Sequence, residues 1–531
     1  MRKLSRSVAA WAFACGLTAL LCAGGAEAAA IDKKALQRAE RSLRSGEFEE
    51  AEKSYRELLG KDPRDLPARL GLSHALLKQR KYRDAFDHAA RAVAADPTSA
   101  RGHALLGAAL LGGGDFALSV EEFRTALSFK DDEALAVAGL AMVDFYENRA
   151  HQSLEGMRRA AFLDAGEPDH LFHLGQIAAR YERYREAADA YENFLRIAPR
   201  TDADRRARIR GLIDFLRYLG RQSDLINVVG PSRVTVPFEL VNNRPMLTVR
   251  INGSKEPLRF VLDTGAGMCV ISRAAAERLG IKPVARGGLA RAVGGEGRFE
   301  IVYGFLQSLQ LGEARIERLP VYIREFHSRQ EPVDGYLGLS VVSKYLTTVD
   351  YGARTMLMLR SEARTPHRAA EPAAAVEVPI RVTSSGFWSG QVRLEGVERP
   401  VNFIVDTGAT ISVVSETLAA RESLDRFAQS QLIRVYGAAG ISENIRTLLL
   451  PRLFLTPAHS RRHVSAAVLD MEALNETAGF EQTGIVGGNV LRHYSVTFDF
   501  ERGVVRLVPL SVERPEAPEA PAQAPAISTQ P

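Results

Sequence analysis

Two stretches of this 531-residue chain repeat one another at an offset of 143 residues. FVLDTGAGMCVIS surrounds Asp263, and FIVDTGATISVVS surrounds Asp406. Gly253 matches Gly396, Pro257 matches Pro400, Phe260 matches Phe403 and Ser272 matches Ser415. The same offset pairs Gly294 with Gly437, each 31 residues past its aspartate. Further on the offset becomes 149, as a six-residue loop insertion would make it, and pairs Leu337-Gly338 with Val486-Gly487, Tyr345 with Tyr494 and Asp350 with Asp499. Around these residues short apolar-polar alternations are broken by Gly turns, the pattern of strands with one buried face. A chain that writes one β unit twice is expected to fold as two like halves, with whatever chemistry the unit carries present twice.

A second regularity fills the region before the β units. Pro63 and Pro97 lie 34 residues apart, and the same step leads to Asp131, Ala165 and Pro199. At one phase of this period stand Ala39, Ser73, Gly107, Ala141 and Gly175, at another Ala51, Ala85, Ser119, Ser153 and Ala187, all small. Larger residues recur between them at Tyr55, Phe123, Met157 and Tyr191, with Ala89 the exception. Small residues at two fixed phases let paired antiparallel helices approach closely, and the larger ones plug the next unit. This pattern resembles the tetratricopeptide repeat: five units and a capping helix, over 32–220. The resemblance implies a solenoid with a groove that docks a protein or peptide; helices that only space or brace the β units are the alternative.

The duplicated unit resembles the retropepsin-like half of an aspartic protease, over 232–360 and 377–510. The strand-Asp-Thr-Gly-Ala segments carry the likeness, with the Gly-bearing hairpins AVGGEGRF and VYGAAGIS at the flap position and the later YLGL and IVGG. The fold expected is thus multidomain: an all-α solenoid, then two all-β acid-protease halves. The resemblance implies that Asp263 and Asp406 are catalytic, that Thr264 and Thr407 cross-link their loops, and that Gly265 and Gly408 permit the close approach of the halves. It places the flaps at Gly294, Gly295, Tyr436 and Gly437. Two facing carboxylates cannot both ionise, so one proton is shared. The charged member then activates water and the protonated member polarises the peptide carbonyl. Neither metal nor cofactor is expected. Val293 stands where Tyr436 does, so the flaps differ; Tyr436 serves either as a flap tyrosine or as a strand-packing residue. Ala266 and Ala409 stand where pepsin-like enzymes commonly carry Ser, whose hydroxyl lowers the aspartate pKa; the pair is therefore expected to hold its proton to higher pH.

Arg2, Lys3 and Arg6 precede an apolar stretch from Val8 to Ala23 and then Ala26-Glu27-Ala28, which reads as a signal peptide over 1–28. An uncleaved anchor is one alternative; a lipoprotein built on Cys22 is another, disfavoured by the bulky Leu21 before it. The expected location is periplasmic or secreted, with no stable membrane span. Cys15, Cys22 and Cys269 are the only cysteines, too few for a disulfide framework. A net charge of +5 without a basic block argues against nucleic acid as a partner. Residues 361–376 form an Ala/Pro/Glu-rich linker, and 511–531 a Pro/Ala-rich tail expected to be disordered. The function expected is exported aspartic endopeptidase acting on protein substrates. A catalytically silent peptide-binding scaffold or adaptor of the cell envelope is the alternative.

Overall fold

The computed structural model describes residues 33–294, 298–326, 333–363, 375–437, 440–457 and 459–510. The expected signal segment, flap residue Gly295, most of the linker and the tail lie outside the described residues.

The 34-residue period is realised as helix pairs: α1 (33–45), α2 (Phe48–Lys61), α3 (Leu66–Lys78), α4 (Tyr82–Ala95), α5 (Ala100–Gly112), α6 (Phe116–Phe129), α7 (Ala134–Tyr146), α8 (Ala150–Leu163), α9 (Pro168–Arg180), α10 (Tyr184–Ile197) and the longer α11 (Ala203–Leu219). Asp65, Ser99 and Asp115 cap their helices by accepting from Ala68, Gly102 and Leu118 N–H, which uses donors that have no partner within the helix. The phased residues are the core: Ala39, Ala51, Ser73, Ala85, Ser119, Phe123, Ser153 and Met157 are fully buried. Small positions receive large ones directly. A Cβ added at Gly107 or Gly139 would stand 2.8 or 2.1 Å from the Phe123 ring, and one at Gly175 would stand 2.9 Å from Tyr191.

Packing divides the chain into two compact units inside the repeats. One comprises residues up to Leu140 with Arg159–Gly166 and Ile197–Ala203; the other comprises Ala141–Arg158, Glu167–Arg196 and everything from Asp204 onward. The second unit therefore joins helices of the last repeats to the β region. Within it Tyr146 packs edge-on against Phe480 at 5.1 Å, Asn148 Nδ2 donates to the Phe500 carbonyl at 3.3 Å, and Lys344 pairs with Glu182 at 2.8 Å.

The β region begins with β1 (Asn227–Val229), β2 (Arg233–Pro237), β3 (Glu239–Val241), β4 (Arg244–Ile251), β5 (Leu258–Leu262), β6 (Cys269–Ser272), β7 (Ala285–Ala290), β8 (Phe299–Leu311), β9 (Ala314–Arg324), β10 (Gly335–Leu337), β11 (Leu346–Asp350) and β12 (Thr355–Leu359). The second half continues with β13 (Val376–Val382), β14 (Trp388–Leu394), β15 (Val401–Val405), β16 (Ser412–Ser415), β17 (Ile433–Gly437), β18 (Gly440–Ile445), β19 (Thr447–Thr456), β20 (His459–Leu469), β21 (Gly484–Val486), β22 (Tyr494–Asp499) and β23 (Val504–Pro509). One sheet runs β1-β9-β6-β10-β5-β4-β8-β7, with β3 beside β4. A second runs β15-β21-β16-β20-β19-β14-β13-β23-β22-β11-β12-β2, so it draws β2, β11 and β12 from the first half.

That shared sheet is the main addition to the two-halves expectation. β11 pairs antiparallel with β22, and Thr348 and Thr497 hydroxyls meet across the seam at 2.8 Å. Pairing these strands satisfies edges that would otherwise present unpaired N–H and C=O groups. A single apolar core then runs through both halves, from Val234 and Phe260 to Phe403 and Leu507.

Candidate active site

Each candidate aspartate follows a buried strand. β5 and β15 are almost wholly buried, and Asp263 and Asp406 stand at the first residue beyond them. The late glycine segments fix these positions: β10 pairs parallel with β5 and β21 with β15. Asp263 N–H donates to the Leu337 carbonyl and Asp406 N–H to the Val486 carbonyl, both at 3.0 Å. Gly338 and Gly487 come next because the loop after each aspartate runs against them. A Cβ at either would stand 2.6 Å from Met268 O or 2.7 Å from Ile411 C.

The two loops meet face to face. Thr264 Oγ1 donates to Val405 O and Thr407 Oγ1 donates to Leu262 O, each at 2.7 Å. In return Thr407 Oγ1 accepts from Thr264 N–H at 3.2 Å, and Thr264 Oγ1 from Thr407 N–H at 3.0 Å. Both threonines are buried, so each hydroxyl has both its donor and its acceptor role filled inside the protein. Asp263 Oδ1 accepts from Gly265 N–H at 2.9 Å and Asp406 Oδ1 from Gly408 N–H at 2.7 Å. A Cβ at Gly265 would lie 2.6 Å from the Asp406 carboxyl carbon, and one at Gly408 2.8 Å from that of Asp263. Any side chain there would push the pair apart.

Burial raises the pKa of both carboxyls. Asp263 is pushed well above the ordinary aspartate range, first by desolvation and then by the neighbouring Asp406 charge, with the Arg244 guanidinium pulling weakly the other way. Asp406 is raised by the same desolvation but held back by the N–H of Gly408, a hydrogen bond from Asp263, and the N–H groups of Gly265 and Ala409. Burial thus disfavours charge on both members, and on Asp263 the neighbouring Asp406 adds to it. The structure brings together within one chain the six loop residues Asp263, Thr264, Gly265, Asp406, Thr407 and Gly408.

The flap glycines also meet: a Cβ on Gly294, whose φ is +74°, would lie 2.7 Å from Gly437 Cα, and one on Gly437 would lie 2.3 Å from Gly294 O. Val293 and Val435 pack toward the core. Tyr436 stands on the other face of its hairpin, 39% exposed, with Ile441 across from it and Arg434 beside it. Sequence reasoning missed the turns that brace the loops. Asn242 and Asn243, at φ of 48° and 64°, form the β3–β4 turn, and Asn243 Nδ2 donates to Thr410 O at 3.2 Å. At the matching place in the other half the Ser385 carbonyl abuts Gly267, where a Cβ would stand 2.6 Å away. An Asn-Asn pair and a Ser-Gly pair at equal offset were the available signal.

Residues 247–341 and 390–490 match a family model described as aspartyl protease. Each β half thus carries its own match to the aspartyl-protease model. Residues 42–109 match a tetratricopeptide-repeat model, so the aspartyl-protease region follows a helical-repeat region. No curated protein matches the chain significantly. Among solved structures it is similar to the APC/C hetero-tetramer Cut9-Hcn1 (16% identity, TM-score 0.31), with 36% of this chain matched to 37% of that one. It is similar also to TTC0263, a thermophilic TPR protein of Thermus thermophilus (19% identity, TM-score 0.30), over 34% of this chain and 98% of that one. A third is PilF of Pseudomonas aeruginosa, at 18% identity and a TM-score of 0.27 over 36% of this chain and 84% of that one.

Proposed function

We propose that the chain is an exported aspartic endopeptidase with one composite site, built from Asp263 and Asp406. The observation that carries this is the reciprocal Thr264–Thr407 cross-link, which presents the two carboxyls to each other with burial enough to keep one proton between them. Asp406, the charged member, takes a proton from water as the oxygen attacks a peptide carbonyl. Asp263, the protonated member, donates to that carbonyl oxygen and so stabilises the charge that develops on it. As the C–N bond of the tetrahedral diol breaks, Asp406 gives its proton to the departing amine nitrogen and a diol hydroxyl returns a proton to Asp263, which restores the starting pair. The flap hairpins cover an extended peptide and pair with its backbone. Helical repeats supply a docking surface for the substrate or a partner protein, and the N-terminal segment directs export to the periplasm.

The test is cleavage of a reduced, unfolded protein by the purified full chain and by Asp406→Asn, with new termini read by mass spectrometry. Cleavage by the wild type alone supports the reading; equal cleavage by both assigns it to a contaminant. Export is checked separately, by the mature N-terminus: a start near Ala29 to Ile31 in the periplasmic fraction is expected, and intact Met1 protein in the cytoplasm contradicts it.

A further inference from the structure

The face of the first sheet that carries Asp263 also carries two arginines. Strand register fixes this. Met246 and Tyr336 both stand opposite Val261, Tyr336 also opposite Val270, Val270 opposite Tyr322, and Ser272 opposite Arg324. Side chains two apart on a strand share a face, so Asp263, Tyr322, Arg324 and Tyr336 lie on one face. The β4–β5 register carried on by one step sets Arg244 across from Asp263. Rings hold this face in place: Arg324 lies over the Phe299 ring at 3.7 Å, and Tyr336 meets Phe326 edge-on at 5.1 Å. At its far end Phe215 of α11 stacks on Tyr303 at 4.2 Å, and a Cβ at Gly211 would stand 2.0 Å from the Arg286 carbonyl oxygen of β7. Burial raises the Tyr336 pKa, and the charges of Arg244, Asp263, Arg324 and Asp406 all bear on it. Burial lowers the pKa of Arg324, against the pull of Tyr322, Tyr336 and Asp263.

The second half fills the same positions without charge. There Ser389 and Ile485 stand opposite Ile404, Ile485 also opposite Val413, Val413 opposite Ala467, and Ser415 opposite Leu469. By this register Arg244, Tyr322, Arg324 and Tyr336 correspond to Phe387, Ala467, Leu469 and Ile485, all buried members of the apolar core. The β unit therefore closes with apolar side chains at these places, and its folding does not require the two half-buried guanidiniums of the first half. A charge kept against its desolvation, beside the carboxyl pair, has a reason outside packing.

We infer that Arg244 and Arg324 form a carboxylate-binding subsite on the Asp263 side of the cleft, which selects an acidic group of the bound peptide near the scissile bond. The inference rests on the peptidase reading for what is cut. A guanidinium presents paired N–H donors that match the two oxygens of a carboxylate. Stacking on Phe299 orients Arg324 beforehand, which reduces the ordering cost of binding. An acidic group so close to the Asp263–Asp406 charge would otherwise be repelled, and the two guanidiniums reverse that sign. The group is an Asp or Glu side chain or the peptide's own C-terminal carboxylate, which offer the same chemistry.

The full chain is tested on two libraries of peptides from unfolded proteins, one with amidated and one with free C-termini, with cut sites read by mass spectrometry. Asp or Glu is expected in excess at one fixed position within about three residues of the cut, in both libraries. An excess of cuts near free C-termini alone assigns the subsite to the terminal carboxylate and equally supports it. A peptide bearing that acid is then compared with its uncharged counterpart, Gln for Glu or amide for free terminus. The ratio of kcat/KM is expected to be about 10-fold or more for the wild type. It is expected to fall toward one in Arg324→Gln and in Arg244→Gln. No positional excess, or a ratio that both variants leave unchanged, overturns the proposal; should the variants not fold, a wild-type ratio near one does so by itself. Binding of the same two peptides to Asp406→Asn, followed by fluorescence, separates the two readings. Acid-selective binding by a chain whose wild type cuts nothing sinks the peptidase reading alone. Cutting without acid preference sinks this inference alone, and neither binding nor cutting sinks both.

Discussion

The chemistry is concentrated in a few side chains whose spacing is readable in the sequence alone. The duplicated Asp-Thr-Gly, the flap glycines Gly294 and Gly437 and the late glycine segments find a geometric reason in the structure. Tyr436 is different: β17 alternates without a break, so Tyr436 shares the exposed face with Arg434, and its role stayed open between flap and packing because an aromatic residue suits either. Thr264→Val is expected to lower stability by about 2–4 kcal/mol, since it leaves Val405 O and Thr407 N–H buried without their partner. Thr264→Ser keeps both bonds and is expected to restore stability and cleavage; urea unfolding of the two variants checks it. The carboxyl pair makes a prediction of pH. Asp263 has a folded pKa raised above its unfolded value near 3.9. The folded state thus binds more protons than the unfolded one from that value up to the raised pKa, and stability falls as pH rises through this window. Asp263→Asn removes the penalty. Its melting temperature is expected to exceed the wild type's at neutral pH and to approach it below about pH 3, where both states are protonated at this position. A constant difference across pH would contradict the assigned cause. Activity, which needs the shared proton, is expected to persist toward neutral pH; a profile peaking below about pH 3 would speak against it.

At the scale of elements, period and alternation were sufficient to place helices and strands, because both reflect which face is buried. Phe123 shows why the period holds: its ring occupies the space left by Gly107 and Gly139. Phe123→Ala is expected to cost about 3–5 kcal/mol, read as early melting of the helical signal. Gly139→Ala, which places a methyl 2.1 Å from the same ring, is expected to destabilise by overpacking. The partnerships between distant elements were not legible. Nothing in the pattern of α11 announces that it lies on β7; the informative residues are single glycines, Gly211, Gly287 and Gly288, whose meaning depends on what approaches them. The β2–β12–β11–β22 seam escaped for a like reason, since strand pairing across halves leaves no periodic trace.

At the scale of the molecule, the last repeats and the β region form one compact unit rather than separate domains. The second compact unit begins at Ala141, within the repeats, and Tyr146 reaches Gly479 so closely that a Cβ there would lie 2.3 Å from its hydroxyl. A fragment starting at 220 would lose Tyr146, Glu182 and α11 together, and is expected to be insoluble or inactive, whereas one starting near 141 keeps these contacts. The central claim is that one chain makes one site from both halves. The decisive measurement is cleavage of an unfolded protein by Asp263→Asn, by Asp406→Asn and by their equimolar mixture. Each variant is predicted to lose activity by about 100-fold or more, and the mixture to recover none, because each chain carries a single site already broken. Retention of roughly half the activity by each variant would show instead that like halves pair between chains, and would contradict the composite site.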